Sequence, residues 1–195
     1  MSVVVLFART DSNYKKYPVD VYDIERDAKT YTGGSSVVAH PPCRAWGRLY
    51  KFAKPEPGEK ELAFYAVDKV RECGGVLEHP AGSKLWKECG LPVPGDNADR
   101  WGGYSISVKQ FWWGHKAAKS TWLYICGVDR SELPPAPLVF GEPTHVVSGG
   151  KGRKPELTKP EREHTPEKFC EYLIDIAGRC EVKSKRREIK NVFPS

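Results

Sequence analysis

The stretch VVAHPPCRAWG, residues 37–47, sets the expected fold of the chain. It begins as an apolar, β-branched run and stops at Pro41 and Pro42, which lack backbone N–H donors and fix their own φ angles. We therefore expect a buried strand followed by a rigid turn that presents the Cys43 sulfur. Arg44, the next residue, would favour the thiolate, which is the nucleophilic form of cysteine. Because free cysteines are common in protein cores, a packing role for Cys43 is the competing interpretation.

The length and composition predict one soluble domain. The chain has 195 residues, enough for a single hydrophobic core. No apolar run approaches the roughly 20 residues that cross a bilayer, and the chain opens on a strand-like run without a charged leader. We therefore expect a cytoplasmic protein with no membrane partner. Six cysteines without a Cys-x-x-Cys pair argue against a zinc or dithiol site, and the net charge of +6 suits a polyanionic partner such as nucleic acid.

The order of apolar segments predicts an α/β fold. Strands are expected at residues 3–7, 19–22, 37–39, 76–80, 106–113 and 121–125, and helices at 59–73 and from an N-cap at Thr165 to about Gly178. The strand, helix and strand around residues 59–73 form a βαβ unit, so their strands should be parallel. Cys43 and Glu78 should then meet at the carboxyl edge of a Rossmann-like, mostly parallel sheet.

The domain is expected to span residues 1–178. Within it, the proline-rich segment 131–165 is interpreted as a long ordered loop or arm. Residues 179–195 form a basic C-terminal tail that either contacts phosphates or is simply solvated.

Acidic residues near the first two strands are candidates for cofactor binding. An acidic residue after the second strand often receives the ribose hydroxyls of a nucleotide. Asp23 and Glu25 hold that position, and Asp11 lies in the loop after the first strand. Surface charge near a helix N-terminus is the alternative interpretation of these residues.

The turn at residues 114–120 carries His115, Lys116 and Lys119, a composition that fits an anion-facing loop or an exposed hairpin tip. Several histidines are candidate proton carriers, and six tryptophans are candidates for stacking on an unpaired base. Structural roles in the core compete with both interpretations.

Three segments together resemble the cytosine-5 DNA methyltransferases: the Pro-Pro-Cys turn, the strand ending Glu78-His79-Pro80, and residues 114–127, GHKAAKSTWLYICG. In that family a Pro-Pro-Cys loop carries the nucleophile that adds to carbon-6 of the base, and a glutamate holds the pyrimidine edge. The resemblance implies Cys43 as nucleophile, Glu78 as the base-holding acid and Lys119, where the family has arginine, as the neighbouring cation. The substrate-binding candidates are Pro42, Arg44, Trp46, His79 and His115.

The resemblance implies a fold like the catalytic core of a class I methyltransferase, S-adenosylmethionine as cofactor, and DNA or a pyrimidine nucleotide as substrate. The family's glycine-rich cofactor loop would fall at residues 6–12, which read LFARTDS, and only 68 residues follow Gly127, too few for a target-recognition domain. Small methyltransferase-like proteins of phages and prophages are more similar, sharing HPPCRAWG, EHPAGSKLW, QFWWGHKAAKSTWLYI and REHTP. Thymidylate synthase also attacks carbon-6 of a pyrimidine, but from a cysteine late in a longer chain.

Two functional hypotheses follow. The first is a pyrimidine-modifying enzyme, with methyl transfer to DNA as the reaction that the resemblance implies. The second is a catalytically degenerate relative that binds a nucleotide, nucleic acid or host protein, for example to counter host defence. The altered loop at residues 6–12 favours the second, whereas Cys43 and Glu78 favour the first.

Overall fold

The computed structural model describes residues 2–47, 50–147, 149 and 154–181, so the predicted basic tail lies outside the described residues beyond residue 181. The strands of this part are β1 (Val4–Leu6), β2 (Asp20–Tyr22), β3 (Val37–Ala39), β4 (Gly75–Pro80), β5 (Tyr104–Lys109) and β6 (Ser120–Cys126). The helices are α1 (Glu59–Cys73), α2 (Leu85–Glu88), α3 (Lys159–Glu163) and α4 (Glu167–Arg179). Short 3₁₀ turns lie at Asn13–Lys16, Ala28–Thr30, Tyr50–Phe52, Gln110–Trp113 and Arg130–Glu132.

All six strands belong to one mixed sheet with the order β2-β1-β3-β4-β6-β5. β1 is parallel to β2 and to β3, and β3 is parallel to β4. β6 is antiparallel to both of its neighbours, β4 and β5. The α/β prediction is thus confirmed, with a sheet that contains antiparallel as well as parallel pairs. Because β2 and β3 flank β1 on opposite sides, the direction in which strands are added reverses between β1 and β3.

The two longer helices cover opposite faces of the sheet. Side chains alternate between faces along a strand, so Val37 packs in the cluster that includes α1, whereas Val38 packs in the cluster that includes α4. Both valines are fully buried, and each such burial contributes about 1.5–3 kcal/mol to folding. The prediction of α1 is confirmed, and Gly74, with φ at +76°, ends it in a conformation that suits glycine.

Most strand boundaries differ from the prediction by one residue, and those of β5 differ by more. The strand expected over residues 106–113 ends at Lys109, because the next four residues turn into a 3₁₀ conformation. The last helix begins at Glu167 with Pro166 as its N-cap, one residue later than expected. Within the described ranges, none of the helices has the length and apolar content needed to cross a bilayer.

Candidate functional site

The candidate site lies where β3 and β4 reach the carboxyl edge of the sheet. His40 directly follows β3 and leads through the two prolines to Cys43, while Glu78 lies in the neighbouring strand β4. Lys119 directly precedes β6, which pairs with β4 on its other side. The sequence-predicted group of Cys43, Glu78 and Lys119 is therefore brought together at one edge, and the three side chains interact electrostatically.

The Glu78 carboxylate is held by two donors from different elements. His40 Nδ1 donates to Glu78 Oε2 at 3.0 Å, and Gln110 Nε2 donates to Glu78 Oε1 at 3.0 Å. The same Gln110 nitrogen also lies 3.1 Å from the Thr121 hydroxyl oxygen, which in turn donates to the backbone carbonyl of Lys119 at 3.0 Å. Both carboxylate oxygens are thus fixed, and 13% of the side chain remains accessible.

Tyr14 extends this network into the core. Its hydroxyl lies 2.8 Å from His40 Nε2. An ionised carboxylate can only accept hydrogen bonds, so His40 Nδ1 carries the hydrogen of the bond to Glu78, and Nε2 is the atom that pairs with the Tyr14 hydroxyl. Burial raises the pKa of Tyr14 well above its usual value, which keeps that hydroxyl a donor. The result is a chain of hydrogen bonds that runs from Tyr14 through His40 to Glu78.

The charges of the site stabilise one another. Burial would raise the pKa of Glu78, but the His40 hydrogen bond and the nearby Lys119 charge outweigh burial and lower it to about 2. Burial lowers the pKa of Lys119, and the Glu78 carboxylate opposes that effect. Lys119 is partly buried, and it forms no ion pair within 4 Å among the described residues.

Cys43 is exposed at the surface, which excludes the packing role considered for it. Although the residue is exposed, the surrounding protein partly desolvates its sulfur. This desolvation and the negative charge of Glu78 both raise the pKa of the Cys43 thiol. Lys119 acts in the opposite direction and favours the thiolate. The net result is a raised thiol pKa, and Lys119 is the charged side chain that opposes the rise.

Arg44 does not have the role expected for it. Its guanidinium forms a bidentate pair with the buried Glu59 carboxylate, at 2.9 and 2.7 Å, and so fixes the turn after Cys43 to the start of α1. The Arg44 guanidinium is thus paired with Glu59, 15 residues away in sequence, and Lys119 is the cation that lowers the pKa of the Cys43 thiol.

Backbone conformation also marks this edge of the sheet. Among the described non-glycine residues, Phe7 (φ 62°) and Lys119 (φ 39°) are the ones with positive φ. This region is disfavoured for residues with a side chain, and such strain concentrates at functional sites. Phe7 directly follows β1 and Lys119 directly precedes β6, so both strained positions lie where strands meet the candidate site.

Two of the substrate-binding candidates are core residues. Trp46 is 2% exposed and packs edge-on against Phe64, with ring centroids 5.3 Å apart, so it is not a platform for base stacking. His79 is 1% exposed, and burial lowers its pKa to about 4 although Glu78 and the Pro42 carbonyl oppose that effect. Neither ring nitrogen of His79 has a well-aligned partner among the described residues, so it remains a buried neutral ring.

His115 lines a separate cavity of about 250 Å³ between the turn after β5 and α3. Its Nδ1 lies 2.8 Å from the Ala117 carbonyl oxygen and 3.0 Å from the Ala117 backbone nitrogen, so the turn itself holds the ring. The cavity is also lined by Gly114, Lys116, Leu157, Glu161, His164 and Pro166. The proline-rich segment 131–165 thus contributes α3 to this separate cavity.

Of the three cofactor-binding candidates, Asp11 and Asp23 are held in ion pairs, whereas Glu25 is exposed. Asp11 pairs with Arg9 at 2.8 Å. Asp23 pairs with Lys15 at 2.7 Å and accepts the Glu25 backbone N–H at 3.0 Å, while the Glu25 side chain itself is exposed. The segment from Phe7 to Tyr31 contains no glycine. These residues do not form the glycine-rich cradle that the resemblance implies for S-adenosylmethionine.

Sequence reasoning missed Tyr14, Gln110 and Thr121. Tyr14 lies in a 3₁₀ turn after β1, and Gln110 begins the turn that follows β5. The sequence offered only a tyrosine and a glutamine near predicted strands, and both residue types are common in loops. No group of three or more potential metal ligands occurs in the described part of the chain.

Comparisons with protein-family models, with curated proteins and with solved structures find no match to this chain.

Proposed function

We propose that the protein modifies a pyrimidine base in nucleic acid or in a nucleotide, with Cys43 adding to carbon-6 of the ring. The observation that carries the proposal is the convergence of Cys43, Glu78 and Lys119 at one sheet edge, with Glu78 fixed by His40 and Gln110. A surface thiol beside a lysine is suited to covalent attack. A buried, doubly hydrogen-bonded carboxylate beside it is suited to hold the edge of a flat polar ring.

The chemistry assigns one role to each side chain. The Cys43 thiolate bonds to carbon-6, and the electron pair of the carbon-5 to carbon-6 double bond moves into the ring. Lys119 stabilises the negative charge that develops, as cations do in sites shielded from water. The ring is then nucleophilic at carbon-5, which is the position modified in the family that the sequence resembles. Methyl transfer is the reaction implied by that resemblance, and cytosine is the base it implies.

We also propose that the fold is Rossmann-like and related to the catalytic core of methyltransferases. Four adjoining strands are parallel, and the strand order reverses between β1 and β3. Ligands of doubly wound sheets bind at the carboxyl ends of the strands at such a reversal. The Pro-Pro-Cys turn follows β3 at that point, which supports the same location for the pyrimidine.

Exchange of the carbon-5 hydrogen with solvent tests the proposal without assuming a group donor. Addition of a thiolate to carbon-6 allows a deuteron from D₂O to enter at carbon-5 before the bond to sulfur breaks. We expect single-stranded oligonucleotides or free nucleotides to lose their H5 proton resonance in the presence of the protein. Cys43→Ser should abolish this exchange, whereas Cys89→Ser, which changes a half-buried thiol outside the network, should retain it. Exchange that persists in Cys43→Ser would refute the nucleophile assignment.

A second candidate function is favoured by two ion pairs, Asp23–Lys15 and Asp11–Arg9. Both aspartates were expected to bind a cofactor, and the ion pairs hold their carboxylates instead. In this case the protein binds a nucleotide, nucleic acid or host protein without catalysis. A ligand that binds the folded state raises its apparent stability. A thermal shift with a pyrimidine nucleotide, combined with no H5 exchange, would favour this second function.

A further inference from the structure

A second turn with basic and aromatic residues is tied directly to the Cys43 turn. The backbone N–H groups of Trp46 and Gly47 both donate to the Cys43 carbonyl oxygen, at 3.0 and 2.9 Å. The Gly47 carbonyl oxygen in turn accepts the Tyr50 N–H at 3.0 Å. The 3₁₀ turn Tyr50–Phe52 is therefore linked by hydrogen bonds to the turn that carries the thiol. A ligand of this second turn lies next to a ligand of Cys43.

Lys84 reaches the same surface from the segment after β4. Its backbone N–H donates to the Trp46 carbonyl oxygen at 3.0 Å, and its ammonium nitrogen lies 3.6 Å from the centre of the Tyr50 ring. A cation held over an aromatic face at this distance is a favourable cation–π contact. Because β4 also contains Glu78, the surface adjoins both of the strands that position the candidate site.

Phe52 presents its ring to solvent in this turn. It is 85% exposed, and it forms no ring contact with another described aromatic residue. A single exposed apolar side chain is ordinary at a protein surface. Phe52, however, lies between Lys51 and Lys54 in the sequence, and both lysines are exposed. A free aromatic face flanked by cations is suited to a flat ring that is attached to anionic groups.

The positive charge of this surface is not neutralised by neighbouring carboxylates. Lys51, Lys54 and Lys84 are exposed, and none of them forms an ion pair within 4 Å among the described residues. In the sequence, residues 44–55 include Arg44, Arg48, Lys51 and Lys54 but no acidic residue. Such a charge balance favours a polyanion over an apolar protein surface as the partner.

A single-stranded nucleic acid is the polyanion that matches both features. Surfaces that bind single strands combine cations, which contact phosphates, with aromatic rings on which bases stack. In a duplex each base already stacks on its neighbours, whereas an unpaired strand can turn the face of a base towards the protein. Attack on carbon-6 likewise requires a base that is out of the duplex stack.

We propose that the surface formed by Tyr50, Lys51, Phe52, Lys54 and Lys84 binds the nucleotides that flank the reacting pyrimidine. The substrate is then a single-stranded polynucleotide and not a free nucleotide. Phe52 stacks on a neighbouring base, and the three lysines contact phosphates of the same strand. This inference rests on the proposed function for the identity of the reacting base, whereas binding of the strand is measured without any reaction.

Fluorescence anisotropy of a labelled single-stranded oligonucleotide of about twelve nucleotides measures the binding. We expect Phe52→Ala to weaken the affinity of the full chain at least about fivefold, because one stacked base is lost. Phe140→Ala is the matched control, because Phe140 is 86% exposed but residues 131–150 contain no lysine or arginine. It should bind as the wild type does. Equal loss of affinity in the two variants, or no loss in Phe52→Ala, would overturn the stacking role.

Two other substitutions separate stacking from general apolar contact. Phe52→Leu keeps an apolar side chain without a flat ring, and it should lose as much affinity as Phe52→Ala. Phe52→Trp should retain the wild-type affinity. Full affinity in Phe52→Leu would contradict base stacking, and equal affinity of the wild type for the corresponding duplex would contradict the preference for a single strand.

The salt dependence of binding reports the phosphate contacts. Each phosphate contact of a single strand contributes about 0.7 to the slope of log affinity against log salt concentration. Lys51→Gln and Lys84→Gln should each reduce the slope by about that amount. Lys168→Gln, an exposed position on α4 across the sheet from α1, should leave it unchanged. An unchanged slope in either surface variant would contradict the phosphate contact of that lysine.

Exchange of the carbon-5 hydrogen distinguishes failure of this inference from failure of the proposed function. At equal concentrations, the same pyrimidine should exchange at least about fivefold faster within the oligonucleotide than as a mononucleotide, and Phe52→Ala should reduce this difference. Equal rates would overturn the inference and leave the proposed function intact. Binding that depends on Phe52 and the lysines, without any exchange, would support the surface and contradict the role of Cys43 as nucleophile.

Discussion

Glutamine in place of Glu78 should make the free energy of unfolding less dependent on pH in the acidic range. The folded protein lowers the pKa of this carboxyl from 4.5 to about 2, because the His40 hydrogen bond and the Lys119 charge outweigh burial. A depressed pKa contributes stability above the unfolded value of 4.5, and this contribution is lost as the pH falls through 2. At 1.36 kcal/mol per pKa unit, the ionised group contributes about 3 kcal/mol at neutral pH.

Urea unfolding followed by tryptophan fluorescence measures this effect. By the same linkage relation, about 2 kcal/mol of the contribution should be lost between pH 7 and pH 3. The difference in unfolding free energy between the wild type and Glu78→Gln should shrink by that amount over the same range. Glu161→Gln is the matched control, because this carboxyl also has its pKa lowered to about 2 but lies at the surface, where solvent weakens the effect. A wild-type to Glu78→Gln difference that is the same at both pH values would refute the charge network.

Two further substitutions test the contacts of the site. His40→Asn places an amide donor near the position of Nδ1 and should preserve the bond to Glu78, whereas His40→Gln reaches toward Tyr14 and should lose it, costing about 1.5–3 kcal/mol. Urea unfolding decides between them, and a more stable Gln variant would show that the Tyr14 contact matters more. Lys119→Met should raise the pKa of the Cys43 thiol, because Lys119 is the charge that lowers it. The rate of iodoacetamide alkylation against pH should therefore move to higher pH, and an unmoved profile would contradict the role of Lys119.

The position of Cys43 and Glu78 at the sheet edge could be predicted from the sequence, because local sequence patterns determine where the strands end. The apolar spacing over α1, followed by two glycines, predicts a helix between two parallel strands, and the structure has these elements. Since parallel strands end on the same edge of a sheet, the sequence predicts that Cys43 and Glu78 lie together there. The prolines after β3 fix the end of that strand in the same way.

The side-chain partners of these residues could not be predicted, because they depend on contacts between segments that are distant in the sequence. Arg44 was expected to act on Cys43, but Glu59 lies on the adjoining helix and binds its guanidinium. Gln110 contacts Glu78 because β5 ends just before it and the chain turns there. The apolar residues after Gln110 are equally typical of a longer strand, so the sequence does not predict this turn. Tyr14 meets His40 through a turn whose sequence signals only a loop.

The central claim is that the Cys43 sulfur bonds to carbon-6 of a pyrimidine, and covalent trapping tests it most directly. The protein is incubated with S-adenosylmethionine and single-stranded oligonucleotides that contain 5-fluorouracil or 5-fluorocytosine. After a methyl group has bonded to carbon-5, that carbon carries fluorine and no hydrogen, so no proton can leave and the carbon–sulfur bond stays intact. Intact mass under denaturing conditions and peptide mapping then locate any bond. We predict one oligonucleotide per chain, attached to the peptide that contains Cys43. Attachment to a different residue, or no covalent product with either base, would contradict the account.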